Sequence, residues 1–569
     1  MQISDFGHIR PYWRRLLFVL SLSLISTALS LYVPYLTKDL VDRALLGRDL
    51  SGLVRLVELF AGATVASFAL NVAGGLVYTR TSAAILFDMR LDVYRHLQRL
   101  SPRFYARTKL GDIVSRLNND IGEVQRIAAD MAFAWVGNVL FLGGTIAMMI
   151  WLDVTLFLLT VALIPASLWA LSHFRSRLAD RVAVLRQRSS DVGSFLIETL
   201  QGMKLIVSSN AQRRETERFR SRNTEFVDAL MGMQRLTYWS GGLPALILAG
   251  STALVFLYGG RQVISGAMTL GTFVAFLGYQ MRLMPPIQGL MGLYTSLATL
   301  RVSLARVQEL LEARPDVEEA PRPIPLDRVN GDVVFDHVTL TFDRGSPVLD
   351  DVSFAVSAGE SLAIVGPSGS GKSTIADLLL RLLDPDAGTI RVDGHDLRTL
   401  RLEDVRRHIA LVDQEPFLFH TSILENLRYA RPEASIDEVA GAARSAGLEA
   451  FIASLPDGYD TVVGEHGLAM SAGERQRIAV ARALLARSSV LILDEATAAL
   501  DPPTERQVIA GYETLTRGRT TIVISHRFDV AARASRVLVL NEARIVEDGS
   551  PAELLARDGA FAGLFGRSH

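Results

Sequence analysis

Six stretches in the first half of the chain are long and apolar enough to cross a lipid bilayer, and nothing else in it narrows the choice of fold as much. A bilayer core of roughly 30 Å takes about 20 apolar residues in a helix, which satisfies its own backbone polar groups. Leu16–Leu36 meets that length without a charge, and so does Leu59–Tyr78. Met131–Leu152, Val154–Leu171, Leu243–Tyr258 and Leu270–Leu290 follow, the last with polar residues inside it. Only Asp153 separates the third from the fourth, so those two form a tight antiparallel pair. A hydrophobic content of 49% fits a chain partly embedded in lipid.

The charges around these segments orient them, because cytoplasmic loops carry an excess of Lys and Arg. Arg80–Arg126 holds nine basic residues and Arg175–Arg235 holds twelve, against five (Lys38, Arg43, Arg48, Arg55 and Arg261) on the opposite side. The two basic stretches are therefore expected in the cytoplasm, with both termini. Apolar residues recur in them at helical spacing, as at Leu91, Tyr94, Leu97 and Leu100, so they read as membrane helices continued into the cytosol. Each has a break where a short crosswise helix fits, one near Thr108–Asp112 around Gly111, the other near Glu198–Gly202. Plain helical packing without such a helix is the alternative.

Several classes are excluded early. A formal charge of −1, from 59 basic and 60 acidic residues, argues against a nucleic-acid partner. The absence of cysteine removes disulfides, thiolate zinc sites and iron–sulfur clusters. Met1–Arg15 has no signal-peptide pattern, so the first apolar stretch is expected to be retained. At 569 residues at least two domains are expected: 1–315 in the membrane, a proline-interrupted linker at 316–330, and 331–569.

From Gly331 the pattern changes to short β-rich runs alternating with helices, as in an α/β sheet. Ser361–Val365 reads as a buried strand that runs into Gly366-Pro367-Ser368-Gly369-Ser370-Gly371-Lys372-Ser373-Thr374, with a helix expected over Ser373–Leu383. In that setting the glycines let backbone N–H groups turn inward around a phosphate, Lys372 reaches its β/γ oxygens, and Ser373 offers a hydroxyl to Mg²⁺. A second apolar run, Val490–Leu493, ends in Asp494 and Glu495. Asp494 suits the magnesium shell, and Glu495 suits a general base that polarises the attacking water. Ser471 followed by Glu474 reads, taken alone, as a capping box opening a helix at Arg475–Leu485.

Taken together and in order, these motifs make the chain resemble the ABC (ATP-binding cassette) exporters. The likeness is to the half-transporter arrangement of one membrane domain followed by one cassette, and it covers essentially the whole chain. It implies a helical membrane domain of six transmembrane helices plus an α/β P-loop cassette, an ATPase activity, and ATP with Mg²⁺ as cofactors. Residue by residue, Phe342 matches the aromatic that stacks on adenine, and Gly366–Thr374 the Walker A loop. Gln414 matches the Q-loop, which touches magnesium and the membrane domain, and Thr461–Glu465 the X-loop of exporters. Ser471–Glu474 is similar to the signature motif, Asp494-Glu495 to Walker B, Asp501 to the D-loop, and His526 to the switch histidine at the γ-phosphate. The chain departs from Leu-Ser-Gly-Gly-Gln by reading Met470-Ser471-Ala472-Gly473-Glu474. Ser471 and Gly473, which the family presents to the γ-phosphate, are kept.

The resemblance also implies that ATP is sandwiched between the phosphate loop of one cassette and the signature of another. With Glu495 and His526 both present, a homodimer is expected before a heterodimer with a homologous half-transporter. The expected activity is export or flipping of an amphipathic substrate (lipid, peptide or drug) by alternating access in a bacterial cytoplasmic membrane. An ATP-gated channel, a regulatory subunit or an importer would share the architecture. Arg282 and Gln280 in the sixth segment are the candidate substrate contacts, on opposite helix faces. Arg282 has two readings: an anion-binding cation in a wet cavity, or a cation satisfied by a backbone carbonyl.

Overall fold

The computed structural model describes residues 10–342, 345–464, 470–495, 512 and 515–565, with side chains left aside at 127–134, 168, 171, 175, 176, 291–295 and 298. Its contacts divide the chain into two units, one of residues 1–97 and 110–312, the other of 98–109 and 313–569. In chain order the helices ahead of the sheets are α1 (Trp13–Asp39), α2 (Leu50–Leu97), α3 (Pro102–Arg107), α4 (Leu110–Ser115), α5 (Ile121–Leu152), α6 (Val154–Ala162), α7 (Ile164–Gln201), α8 (Met203–Ser208), α9 (Gln212–Ile264), α10 (Leu270–Met281) and α11 (Met284–Glu312). All but α3 belong to the first unit.

Among the described residues five helical runs have the length and apolarity to cross a membrane: Arg10–Leu45, Leu50–Leu97, Trp135–Leu152, Val154–Gln201 and Gln212–Ile264. The sixth segment is divided, with α10 stopping at Met281 and α11 starting at Met284. Pro285 and Pro286 explain the break. Proline has no N–H to give the carbonyl four residues back, but it is tolerated in the first turn of a helix. Between the two pieces, Arg282 N–H and Leu283 N–H turn tightly onto Tyr279 O (3.0 Å) and Gln280 O (3.2 Å). At the third-to-fourth junction Asp153 caps α6, its carboxylate accepting from Leu156 N–H at 2.8 Å.

Away from water, apolar packing gives little preference between helices, so small residues and hydrogen bonds set the contacts. Ser26 of α1 and Ser67 of α2 share a buried hydroxyl bond of 2.9 Å, and Ser30 reaches the same hydroxyl at 3.2 Å. At the root of α5, a π turn over Arg116–Asp120 carries ionic groups toward α11. Arg116 bridges Asp112 (2.7 Å) and Glu309 (2.8 Å), while Arg306 bridges Asp112 (2.7 Å) and Asp120 (3.0 Å). The Arg116 and Arg306 guanidiniums hold the Asp112 carboxyl below the usual range.

The short helix at the first break lies a few residues earlier than the sequence suggests. It is α3, and Gly111 sits inside α4 instead. Ser101 in extended conformation and Pro102 at the first helical position define its start, and Thr108, also extended, ends it. The second follows Gly202 closely, as α8.

In the second unit the strands are β1 (Val333–Thr341), β2 (Pro347–Val356), β3 (Ser361–Val365), β4 (Ala387–Val392), β5 (His395–Asp396), β6 (Ile409–Val412), β7 (Val490–Asp494), β8 (Thr520–Ile524), β9 (Arg536–Asn541) and β10 (Arg544–Gly549). They form an antiparallel sheet ordered β2-β1-β4-β5 and a larger one ordered β10-β9-β3-β8-β7-β6. The pairings from β9 to β6 are parallel, and their apolar residues run continuously because both faces are covered. The helix after the phosphate loop, α12 (Lys372–Leu379), stops short of the expected Leu383, and Arg381 takes a left-handed turn at φ 49°. The proline-rich stretch read as a linker is hydrogen-bonded to this unit, through Ile324 N–H to Thr399 O (2.9 Å) and Leu326 N–H to Asp404 Oδ2 (3.1 Å).

Candidate active site

Three parallel strands place the chemistry. β3 ends in the phosphate loop, β7 in Asp494 and Glu495, and β8 runs out to His526, so neighbours in the sheet present neighbouring groups. β6, on the far side of β7, leads to Gln414. Ligands of open α/β sheets bind at such carboxyl ends.

Backbone sterics shape the loop. Gly366 has φ 156°, and a Cβ there would lie 2.0 Å from Leu540 O of β9. Gly371 has φ 101°, and a Cβ would meet Val348 O at 2.6 Å. No side chain fits at either position. α12 starts at Lys372, so the positive end of its dipole faces the loop. The Lys372 ammonium folds back to donate to Gly366 O (3.0 Å) and Pro367 O (2.8 Å). Burial pulls it below the usual lysine range, opposed by the charges of Glu495 and Asp494. The Ser370 hydroxyl is buried without a partner.

Glu495 is the hub. Its Oε1 lies 2.6 Å from His526 Nε2, and its Oε2 accepts from the Gln414 side-chain amide at 3.1 Å. The residue has φ 42°, uncommon outside glycine, and its N–H is anchored on Ile524 O of β8 at 3.0 Å. With the backbone in that conformation the carboxylate meets His526 after β8 on one side and Gln414 after β6 on the other. The structure therefore brings together the three residues expected to share the hydrolytic work.

Asp494 beside it fits a divalent cation. Its Oδ1 is buried with no hydrogen-bond partner, and the Ser373 hydroxyl bonds to the same carboxylate. Burial pushes this carboxyl above the usual range, against that hydrogen bond. An orphaned buried carboxylate oxygen and a hydroxyl suit Mg²⁺, which keeps few protein ligands and takes the rest from phosphate and water. One further carboxylate was not anticipated from the sequence. Asp377, one turn after Ser373 on α12, is pushed up to about 6 by burial and then by Asp494 and Asp413. Its four-residue spacing from Ser373 was the available signal, since i and i+4 share a helix face.

Ser471 and Glu474 form a complete capping box on α13 (Ala472–Ala486), the fifteen-residue helix that follows. Glu474 accepts from Ser471 N–H at 2.7 Å, and Ser471 Oγ accepts from Glu474 N–H at 3.3 Å. The charge that distinguishes Glu474 from glutamine is thus held by its own helix end, and the Ser471 O–H remains a donor. Gly473 is buried in the first turn. Phe342 follows β1 and packs against the core of the second unit. Asp501 and Glu465 lie outside the described residues.

In the first unit, the carbonyl reading of Arg282 has a structural basis. Pro34 interrupts α1 and has no N–H to donate to Ser30 O four residues earlier. Arg282 Nη1 donates to that same Ser30 O at 2.6 Å. Tyr279 O–H donates to the adjoining Leu31 O at 2.6 Å, while Gln280, buried on the other face, donates to Ser251 Oγ of α9 at 3.3 Å.

Comparison with known proteins gives a consistent result. The sequence profile of the ABC transporter transmembrane region matches residues 16–287, and that of the ABC transporter ATP-binding region, described as "ABC transporter", matches 349–498. The chain is similar to the uncharacterized ABC transporter ATP-binding protein YknV of Bacillus subtilis, 34% identical over 98% of this chain and 93% of that one. It is also similar to the ATP-dependent lipid A-core flippase of Desulfotalea psychrophila, 31% identical over 98% of both. Among solved structures, a bacterial Atm1-family ABC exporter with ATP bound superposes with a TM-score of 0.81 at 29% identity, covering 98% of each chain.

Proposed function

Because this chain belongs to the ABC transporter family, as an exporter-type membrane domain fused to one ATP-hydrolysing cassette, we propose that two copies pair to clasp two ATP molecules and export an amphipathic substrate. The observation that carries this reading is Glu495, held between His526 and Gln414 beside the phosphate loop. In that reading Phe342 takes the adenine, and the amides of Gly366–Thr374 with Lys372 take the phosphates. Asp494, Ser373 and Gln414 hold Mg²⁺, which when bound neutralises charge on the transferred phosphoryl group. Glu495 accepts the proton of the attacking water, and His526 orients that carboxylate from the other side. Ser471 and Gly473 of one copy face the γ-phosphate held by the other, joining the copies by charge-assisted hydrogen bonds until hydrolysis removes the link.

A homodimer suffices, because one chain carries every one of these residues. The cassette and both termini lie in the cytoplasm of a bacterial inner membrane, and α3 and α8 carry the motion to the spans. ATP-dependent flux of lipid, peptide or amphiphilic drug against its gradient in proteoliposomes tests the reading. Passive, ATP-gated flux would make the protein a channel instead, and inward flux an importer.

Arg282 divides the substrate question. Its loss leaves Ser30 O without a donor in a helix already interrupted by Pro34, so Arg282→Ala should cost about 1–3 kcal/mol of stability. Adding Pro34→Ala returns a backbone N–H to Ser30 O and should recover most of that loss in a thermal melt. If stability returns but stimulation of ATPase by anionic amphiphiles does not, Arg282 also meets the substrate. If both return, its role is to satisfy the carbonyl.

A further inference from the structure

The helix α3 reaches the base-binding end of the nucleotide site, and its Arg103 occupies the place that adenine needs. The Arg103 guanidinium sits over the Phe342 ring, 4.8 Å from its centroid. Both residues line a cleft of about 1230 Å³ that continues past Val348 to Ser368 of the phosphate loop. Elsewhere the ring packs against the apolar core of the unit, through which it is held in place. A flat base inserted between ring and guanidinium needs about 3.5 Å on each side, roughly 7 Å in all. At 4.8 Å the two are in contact, with no room between them.

We propose that Arg103 is a cap on the adenine-stacking ring that ATP must displace, so that base binding and the seating of α3 on Phe342 exclude one another. This rests on the assignment of Phe342 and the phosphate loop to ATP. The guanidinium and the base compete for the same π face, which is where a cation and an aromatic ring each gain energy. Displacement of Arg103 frees the segment 98–109, which the chain joins directly to α2 at Leu97 and to α4 at Leu110. By linkage, any rearrangement that draws α3 away from the ring tightens ATP by the factor with which ATP releases α3.

The half-buried cation–π contact is worth about 0.5–2 kcal/mol, which taken by itself leaves the ring uncapped in about 3% to 30% of molecules. Arg103→Ala should therefore tighten ATP about three- to thirty-fold, with Arg103→Lys in between. The test is equilibrium calorimetry on the full chain in lipid nanodiscs, in EDTA so that no hydrolysis occurs, with ATP and inorganic tripolyphosphate as the two probes. Tripolyphosphate has the phosphates without the base, so its affinity should stay within about two-fold of wild type in both variants. Unchanged or weakened ATP binding in Arg103→Ala overturns the proposal, as does an equal shift for both probes, which would mean that Arg103 acts on phosphate charge. Lys372→Ala separates this from the underlying site. If that variant binds both probes as wild type does, the assignment of the phosphate loop fails and not the cap alone.

Discussion

Glu495→Gln should cut ATP turnover by about 10²–10⁴-fold while leaving ATP affinity within about two-fold of wild type. Glutamine keeps the size of the side chain and can still bond to the Gln414 amide and His526, the two partners at 3.1 Å and 2.6 Å. It cannot take a proton from water. The neighbouring groups that the proposal assigns to nucleotide are left in place: Lys372, the loop amides and the Asp494 carboxylate. Turnover in nanodiscs, with ATP affinity measured separately, gives both numbers. A rate within ten-fold of wild type would mean that the base is elsewhere, with Asp377 and Asp413, which act electrostatically on one another, the carboxylates to replace next. Because hydrolysis would release the paired cassettes, the variant should also accumulate as an ATP-dependent dimer.

Gly366→Ala should lower ATP affinity at least about thirty-fold. Its Cβ would fall 2.0 Å from Leu540 O, inside the distance any carbon and oxygen tolerate. The obstacle is a strand backbone, so no side-chain rotation relieves it. Overpacking of this kind costs about 1–3 kcal/mol, and the φ of 156°, reserved for glycine, adds to that. The loop must move, and with it the two carbonyls that now hold Lys372. Gly369 is the internal control. It also has positive φ (80°), but a Cβ there meets nothing within 4 Å, so Gly369→Ala should bear the conformational cost alone. Equal losses in the two variants would show that steric contact with β9 is not the cause.

Much of the architecture could be read from consecutive residues. Five long apolar helical runs, the strand before the phosphate loop, the strand before Asp494 and the capping box at Ser471 all appear where the residues put them. Each depends on a pattern that repeats or ends within a few residues: apolar length, alternation, or a cap three residues before its partner. The boundaries that slipped were those where chain stiffness competes with packing. The short helix at the first break begins at Pro102, where proline suits a helix start, rather than around Gly111, and α12 ends at Leu379 because Arg381 turns back to reach Asp384 and Glu318 O. The sixth segment, read as one span, is not among the five membrane-length runs of the described residues, and it divides where two prolines forbid continuation.

Other facts required the chain to be folded. Gln414, Glu495 and His526 lie on three strand ends far apart in sequence, and only the order β3-β8-β7-β6 sets them side by side. The left-handed turn at Glu495 that aims its carboxylate is a property of the sheet around it, not of glutamate. Arg282 found the carbonyl that Pro34 leaves open, a match between helices that spacing along either one does not reveal. Arg103 reached Phe342 from a segment more than two hundred residues upstream. The division has one physical origin. Helical period, strand alternation, caps and tight glycine turns are set by neighbours along the backbone, while which charge meets which carbonyl, ring or carboxylate is set by packing over long sequence distances.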